Sequence, residues 1–261
     1  MKPKEFLRVI ASIAGGLAIV VGLATNVEWL SKNISQLVAI SPIGRNNTLR
    51  GLSLEVPISE FKAKLGNPKI INQHKRLREY VFIDKSFYVN ALTELATDKV
   101  VFLVITSRRA DFNPVFTSPG YPESRPSFKV SLGKDVFSKP LSDNEPSWIS
   151  GCVGANWFGY YETHYLGRPG AYQYFGFGMN QLGYLANPDF SLLSNADVCR
   201  DSSKRGNTIS AHSLNAISRW RSSTVINTYA ISIEPIEEVM AEINRIGILG
   251  VDSNQVMRIR D

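Results

Sequence analysis

His164 and Glu162 stand two positions apart within the stretch YYETHYLGRPGAYQYFGFGMN, Tyr160 to Asn180. On a β-strand, residues i and i+2 share a face, so an imidazole and a carboxylate placed this way can exchange a proton. A hydrolase using His164 and Glu162 is therefore one function the sequence allows. No nucleophile motif accompanies the pair. A hydrogen-bonded histidine inside an aromatic sheet accounts for the same residues without any reaction, and this is the expected reading.

The remaining chemistry-bearing residues form weaker patterns. Cys152 with His164 or His212 could imitate a thiol–imidazole pair, but SGCVGANWF carries no cysteine-protease signature. His74, His164 and His212 with Asp197 and Asp201 could bind a metal, yet no HxH, HxxxH or CxxC spacing supports it. The glycines of GCVGANWFG and GFGMNQLG do not sit in a strand-to-helix phosphate loop. Gly176 and Gly178 instead suit a bulge or the close approach of another backbone. No catalytic residue, metal or cofactor is expected. The net charge is +6, but the basic residues are scattered among acidic and turn residues. A nucleic-acid partner would ask for a basic stripe with interleaved aromatics, and none is expected.

Two strands must position the histidine and glutamate. CVGANWFGYYETHYL and AYQYFGFGMNQLGYLA flank Gly167-Arg168-Pro169-Gly170, a turn signal. Alternation then puts Tyr160, Glu162 and His164 on one face of the first strand and Tyr161, Thr163 and Tyr165 on the other. The tyrosines could be ordinary cross-strand packing. They could also be a binding face for peptide, glycan or protein, with Tyr161, Tyr165, Tyr172 and His164 as its candidate residues.

Where this hairpin resides depends on the N-terminus. Lys2, Lys4 and Arg8 precede a run from Val9 to Thr25 that contains no charge. Seventeen helical residues span roughly 26 Å, and Phe6, Leu7, Val27, Trp29 and Leu30 extend the span toward the roughly 30 Å of a bilayer core. A cleaved signal peptide, with Gly22-Leu23-Ala24 as its small-residue site, and a buried core helix are the competing readings. The expectation is a single-pass inner-membrane anchor contacting the lipid bilayer through Phe6–Leu30. The basic flank places the N-terminus in the cytoplasm and the body outside it. In that oxidising space Cys152 and Cys199 would form one disulfide.

The chain divides into an anchor (1–30), a spacer (31–50), a helix-plus-meander half (51–107), a loop-rich connection (108–147) and a second β-rich half with a C-terminal helix (148–261). SKNISQLVAI suits an amphipathic helix stopped by Pro42, and SPIGRNNTLRG a loop. In the first half, Ile58, Phe61 and Leu65 have helical spacing that ends at Gly66. REYVFIDKS, FYVNALTEL and KVVFLVITS read as three strands. In the second half, NPDFSLLSNADVCRDSSKRGNTISAHSLN reads as loop and STVINTYAISIE as a strand. EPIEEVMAEINRIG reads as a helix and ILGVDSNQVMRIRD as a tail with a short strand.

The stretch from Gly51 to Ser107, with its G-x-S start, its helix ending KLGNP and its meander ending VVFLVITS, resembles one half of a β-lactamase-inhibitor-like fold, as in small outer-membrane assembly lipoproteins. That resemblance implies protein binding rather than catalysis. The whole chain is similar to an uncharacterised bacterial family of single-pass membrane proteins named after an enterotoxigenic strain locus. The residues that carry this are Tyr80 to Val89, FNPVF at Phe112 to Phe116, LGKDVF at Leu132 to Phe137, and YYETHYLGRPGAYQY from Tyr160. It implies an anchor and an extracytoplasmic domain, and no chemistry.

The sequence therefore leads to an α+β protein: an N-terminal transmembrane helix followed by a mainly antiparallel sheet with few helices. The expected function is a non-enzymatic binding or scaffolding role in the bacterial cell envelope, with an envelope protein as partner. The alternatives are the His164/Glu162 hydrolase and a cytoplasmic-facing sensor. Whether the two halves share one sheet is left open.

Overall fold

The computed structural model describes residues 42–118, 128–139, 148–153, 158–168, 171–185, 211–245 and 247–257. The anchor run Val9–Thr25 and Cys199 lie outside them. Among the described residues, no helix is long and apolar enough to cross a membrane. The chain forms two units, Met1–Thr48 and Leu49–Asp261. Of the first, only residues 42–48 are described. They belong to helix α1 (Pro42–Arg50), where the sequence suggested a loop. Proline is well suited to a first helical turn because its missing N–H has no intrahelical partner there.

The second unit is built on an eight-stranded, wholly antiparallel sheet. Its strands are β1 (Ile70–Gln73), β2 (Leu77–Ile83), β3 (Phe87–Glu94), β4 (Val100–Ser107), β7 (Trp148–Val153), β8 (Phe158–Arg168), β9 (Ala171–Asn180) and β10 (Thr228–Ser232). They lie in the order β1-β2-β3-β4-β10-β9-β8-β7. Both halves of the sequence thus share one sheet, joined where Thr228 to Ser232 pair with Thr106 to Phe102. The α+β class with few helices and a mainly antiparallel sheet is what the structure has. The short strand β1 is additional to the three runs legible in the first half.

Helix α2 (Ile58–Leu65) buries Ile58 and Phe61, and Gly66 ends it at φ 81°, donating its N–H to Lys62 O. The β3–β4 connection turns at Asp98, whose φ is 54°, a conformation that aspartate tolerates better than most residues. The stretch read as loop-rich contains a separate two-stranded sheet, β5 (Val115–Ser118) with β6 (Phe128–Ser131). Helix α3 (Ala211–Ser223) occupies the end of the segment read as loop. Helix α4 (Ile236–Glu242) follows Pro235 with Glu237 and Glu238 in its first turn, as expected. The tail forms the short helix α5 (Ser253–Met257) where a short strand was expected.

Both faces of the sheet are buried. The first face carries Tyr80, Phe82, Val89, Leu103, Ile105, Phe175, Phe177, Tyr160 and Tyr229, covered by Phe61, Phe116, Phe128, Phe137 and Trp220. Phe116 stacks on Tyr229 at 4.3 Å between ring centroids, and Phe128 meets Phe175 and Phe177 edge-on. The second face carries Leu77, Leu92, Phe102, Val104, Tyr161 and Ala230 under Ile236, Val239, Met240, Ile243 and Leu249. Gly176 and Gly178 allow this close cover. A Cβ at Gly176 would meet Ile236 Cδ1 at 3.0 Å, and one at Gly178 would meet Leu249 Cδ2 at 3.2 Å. Pairing along β9 is continuous from Ala171 to Asn180, so these glycines serve close approach and not a bulge.

The C-terminal segment is fastened to the second face by a buried carboxylate. Glu79 on β2 is 0% exposed. Its Oε1 accepts hydrogen bonds from Asn90 Nδ2 (2.6 Å) and Arg245 Nη2, and its Oε2 from Asn72 Nδ2 and Gln255 Nε2 (both 2.8 Å). Arg245 also donates to Gly250 O at 2.6 Å. Farther along, Asn180 Nδ2 donates to Leu249 O and Val251 O. Burial alone would push the Glu79 carboxyl up. The charge of Arg245 and the hydrogen bonds from Asn72, Asn90 and Arg245 outweigh it and hold the group below its ordinary value.

Removing Arg245 would leave a buried, uncompensated carboxylate, so Arg245→Ala is expected to lose about 3–5 kcal/mol of stability in urea unfolding. The lowered carboxyl also sets a pH dependence. Its stabilisation is complete above the unfolded value near 4.5 and is lost as pH falls through the lower folded value. The stability difference between the natural protein and Glu79→Gln is therefore expected to shrink as urea unfolding is repeated from pH 6 down to about pH 3.

Candidate functional site

Strand β8 alternates as its sequence requires. Tyr160, Glu162 and His164 point to the first face, and Tyr161 and Tyr165 to the second. The His164/Glu162 pair is thus formed on one face, but within the protein: Glu162 is 1% exposed and His164 4%. His164 Nε2 stands 3.8 Å from Glu162 Oε2, too far for a hydrogen bond. Its ring lies 5.6 Å from that of Phe177.

The Glu162 carboxylate is held by other residues. Tyr160 Oη donates to Oε1 at 2.7 Å. Arg221 donates from Nε to Oε1 at 2.6 Å and from Nη2 to Oε2 at 3.2 Å, in the fork geometry that suits guanidinium and carboxylate. Burial, reinforced by the neighbouring Glu162 charge, pushes the Tyr160 hydroxyl well above its ordinary range, so it remains a neutral donor. Beside it Trp220 is fully buried, 4.3 Å from the Tyr160 ring and 5.2 Å from Phe137. Arg221 and Trp220 are consecutive residues of α3, and sequence reasoning missed both. The available signal was the spacing of Ala216, Ile217 and Trp220, one apolar helical stripe inside a polar segment.

This arrangement supports the fold. A general base needs a lone pair facing a substrate. Glu162 accepts from two neighbours and is shut from solvent, as is His164. The metal reading fares no better. His74 lies 3.7 Å from Glu79, at the opposite end of the sheet from His164, and no group of three or more metal-ligating side chains exists among the described residues. Asp197 and Asp201 lie outside the described residues. Cys152 is on β7 opposite Gly159, and His212 is on α3.

The four candidate binding residues do not form one surface. His164 faces away from Tyr161 and Tyr165 and is buried. Tyr161 is 3% exposed beneath α4, and its hydroxyl is pushed up to about 12, by burial first and then by Glu237, against a lowering hydrogen bond from Ser150. Burial of both faces defeats the simple rule that alternate strand residues reach solvent. Tyr172 pairs across the hairpin with Gly167. Of Tyr161, His164 and Tyr165, Tyr165 is the exposed one, at 37%, with its ring centroid 5.0 Å from that of Tyr174. β7 pairs with β8 only as far as Thr163, and β10 with β9 only from Tyr174 onward. The turn end of the hairpin, with Tyr165, therefore runs beyond its neighbouring strands among the described residues.

No protein-family model matches the chain, and no curated protein does. Among solved structures, a cysteine-rich secretory protein from Staphylococcus aureus is similar at 10% identity and a TM-score of 0.33. The match covers 76% of this chain and spans 50% of that structure's length.

If Glu162 is a structural anchor, its donors should be needed for folding. Arg221→Ala is expected to cost about 3 kcal/mol, the low end for a broken buried pair because Arg221 is partly exposed. Tyr160→Phe, which removes one hydrogen bond to a charged group, is expected to cost about 1.5–3 kcal/mol. Urea unfolding followed by tryptophan fluorescence measures both, with Trp220 adjacent to the change.

Proposed function

We propose that this chain is a membrane-anchored, non-enzymatic binding or scaffolding protein of the bacterial cell envelope. Phe6–Leu30 anchors it in the inner membrane, the body lies outside the cytoplasm, and Cys152 and Cys199 form a disulfide there. The charge-free run behind Lys2, Lys4 and Arg8 supports the anchor and its orientation.

One contrast on strand β8 carries the reading. The residues able to do acid–base chemistry, Glu162 and His164, are buried and spent on internal contacts, whereas Tyr165 of the same strand is exposed against Tyr174 toward the turn end of the β8–β9 hairpin. Tyrosine offers a large apolar surface with a polar tip and loses little side-chain freedom on contact, which suits it to interfaces. The partner surface is therefore the Tyr165–Tyr174 face, and the partner is an envelope protein.

A photo-reactive residue at position 165, activated in intact cells, is expected to cross-link a discrete envelope protein, and Tyr174→Ala is expected to abolish that adduct while the body still folds, with an unfolding midpoint lowered by the loss of Tyr174 packing on the second-face core. The opposite result is a hydrolytic phenotype on His164→Ala with folding intact and no adduct at 165, which would restore the hydrolase. A membrane-impermeant maleimide that labels Cys152 or Cys199 only after cell lysis, without reductant, would place the body in the cytoplasm and support the sensor.

A further inference from the structure

The end of the sheet away from the tyrosine hairpin is formed by β1, whose sequence is Ile-Ile-Asn-Gln. β1 pairs with β2 through Ile70↔Val81 to Gln73↔Arg78, and no other described strand pairs with it. Alternate N–H and C=O groups of an edge strand point away from its only neighbour and can be matched by another strand. Natural sheets guard an edge by keeping its strand very short, by lysine, proline or an inward charge at the edge, or by a bulge. β1 is short and follows Pro68 and Lys69, but its own four residues include no charge and no proline, and its pairing with β2 is unbroken. At its centre Ile71 is 56% exposed, one of three exposed large apolar side chains among the described residues. The neighbouring side chains are committed elsewhere: Ile70 packs with Val81, Tyr88 and Val251, and Asn72 donates to Glu79.

We infer that β1 is a self-association edge that takes the β1 of a second copy of this chain, antiparallel, about a two-fold axis at Ile71. Three features favour a second copy over an unrelated strand. An antiparallel pair of identical strands is self-complementary by symmetry. Centred on Ile71, it sets the two exposed isoleucines against each other, covering the apolar group that the monomer leaves in water. It also places Lys69 opposite Gln73 and Ile70 opposite Asn72, so no like charges meet. The joined sheets continue the hydrogen-bonded ladder from one copy to the next. The contact is short and buries far less than a standard stable interface, so the association is weak and strongly concentration-dependent, of micromolar order or weaker. Because β1 and β8 lie near opposite ends of the sheet, the pairing does not involve the Tyr165 strand of either copy.

The test uses the purified full-length chain in detergent. Sedimentation equilibrium over a concentration series reads its mass, and hydrogen–deuterium exchange reads the amides of residues 70–73. The expected result is a monomer–dimer equilibrium in which protection of these amides rises with concentration. Ile71→Lys, which sets two ammonium groups face to face, is expected to raise the dimer dissociation constant about tenfold or more without changing the unfolding midpoint measured at concentrations where the chain is monomeric. The reverse charge in equal mixture, Ile71→Glu with Ile71→Lys, is expected to restore association. A monomer at every concentration overturns the inference. So does a dimer unaffected by Ile71→Lys, which would assign association to the N-terminal segment. Protection of residues 70–73 that is independent of concentration also overturns it, because the edge would then be covered by the chain itself.

Discussion

The structure depends on the hydrogen-bonded seam between β4 and β10. Without it, each half of the chain would be a set of four strands with an open edge, at β4 in the first half and at β10 in the second. With it, β4 becomes a central strand with all eight residues buried, and its unbroken run VVFLVITS matches its position. The seam is also specific. Thr106 and Thr228 are 3.0 Å apart through their hydroxyls, and Ser107 donates its N–H to Asn227 O. The sheet order runs outward from the seam in mirrored sequence, β4 to β1 on one side and β10 to β7 on the other. The last described strand on one side is therefore β1, whose short apolar edge faces outward.

A sheet this wide has two faces to cover. The first is closed by aromatic side chains from α2, the β5–β6 hairpin and α3, and the second by α4 and the C-terminal segment. Each face also holds one carboxylate on the second strand from an end of the sheet: Glu79 on β2 and Glu162 on β8. Each is neutralised by an arginine from the covering layer, Arg245 or Arg221. Such a pair adds little net stability compared with apolar packing, but it penalises any arrangement that separates the partners. The two pairs therefore hold particular covering segments to particular places on the sheet, which apolar contact alone does less selectively.

The residues best equipped for acid–base chemistry are occupied within the fold. A histidine and a glutamate two apart on a strand look like an acid–base pair when the strand has a solvated face. Here α3 lies across that face, and the carboxylate binds Arg221 and Tyr160. On the same strand Tyr165, packed against Tyr174, is exposed toward the hairpin end, where β8 and β9 run beyond their neighbouring strands among the described residues.

The sequence alone determined the α+β class, the strands β2, β3, β4, β8, β9 and β10, the pairing of β8 with β9, helices α2 and α4, and the alternation that puts Glu162 and His164 on one face. These follow from local periodicity, turn residues and helix-end chemistry, which act over a few neighbouring positions. The anchor, the compartment and the disulfide are also sequence arguments, resting on residues 1–30 and the two cysteines. Tertiary structure decided what lies over each face. It made Tyr161 and His164 core residues, turned part of a polar segment into the helix that supplies Arg221 and Trp220, recruited the tail as a helix carrying Gln255 to Glu79, and left Tyr165 and Ile71 exposed. The physical reason is that burial is a property of two elements in contact. Arg221 meets Glu162 across 59 positions and Arg245 meets Glu79 across 166, distances over which no periodicity in the sequence carries information.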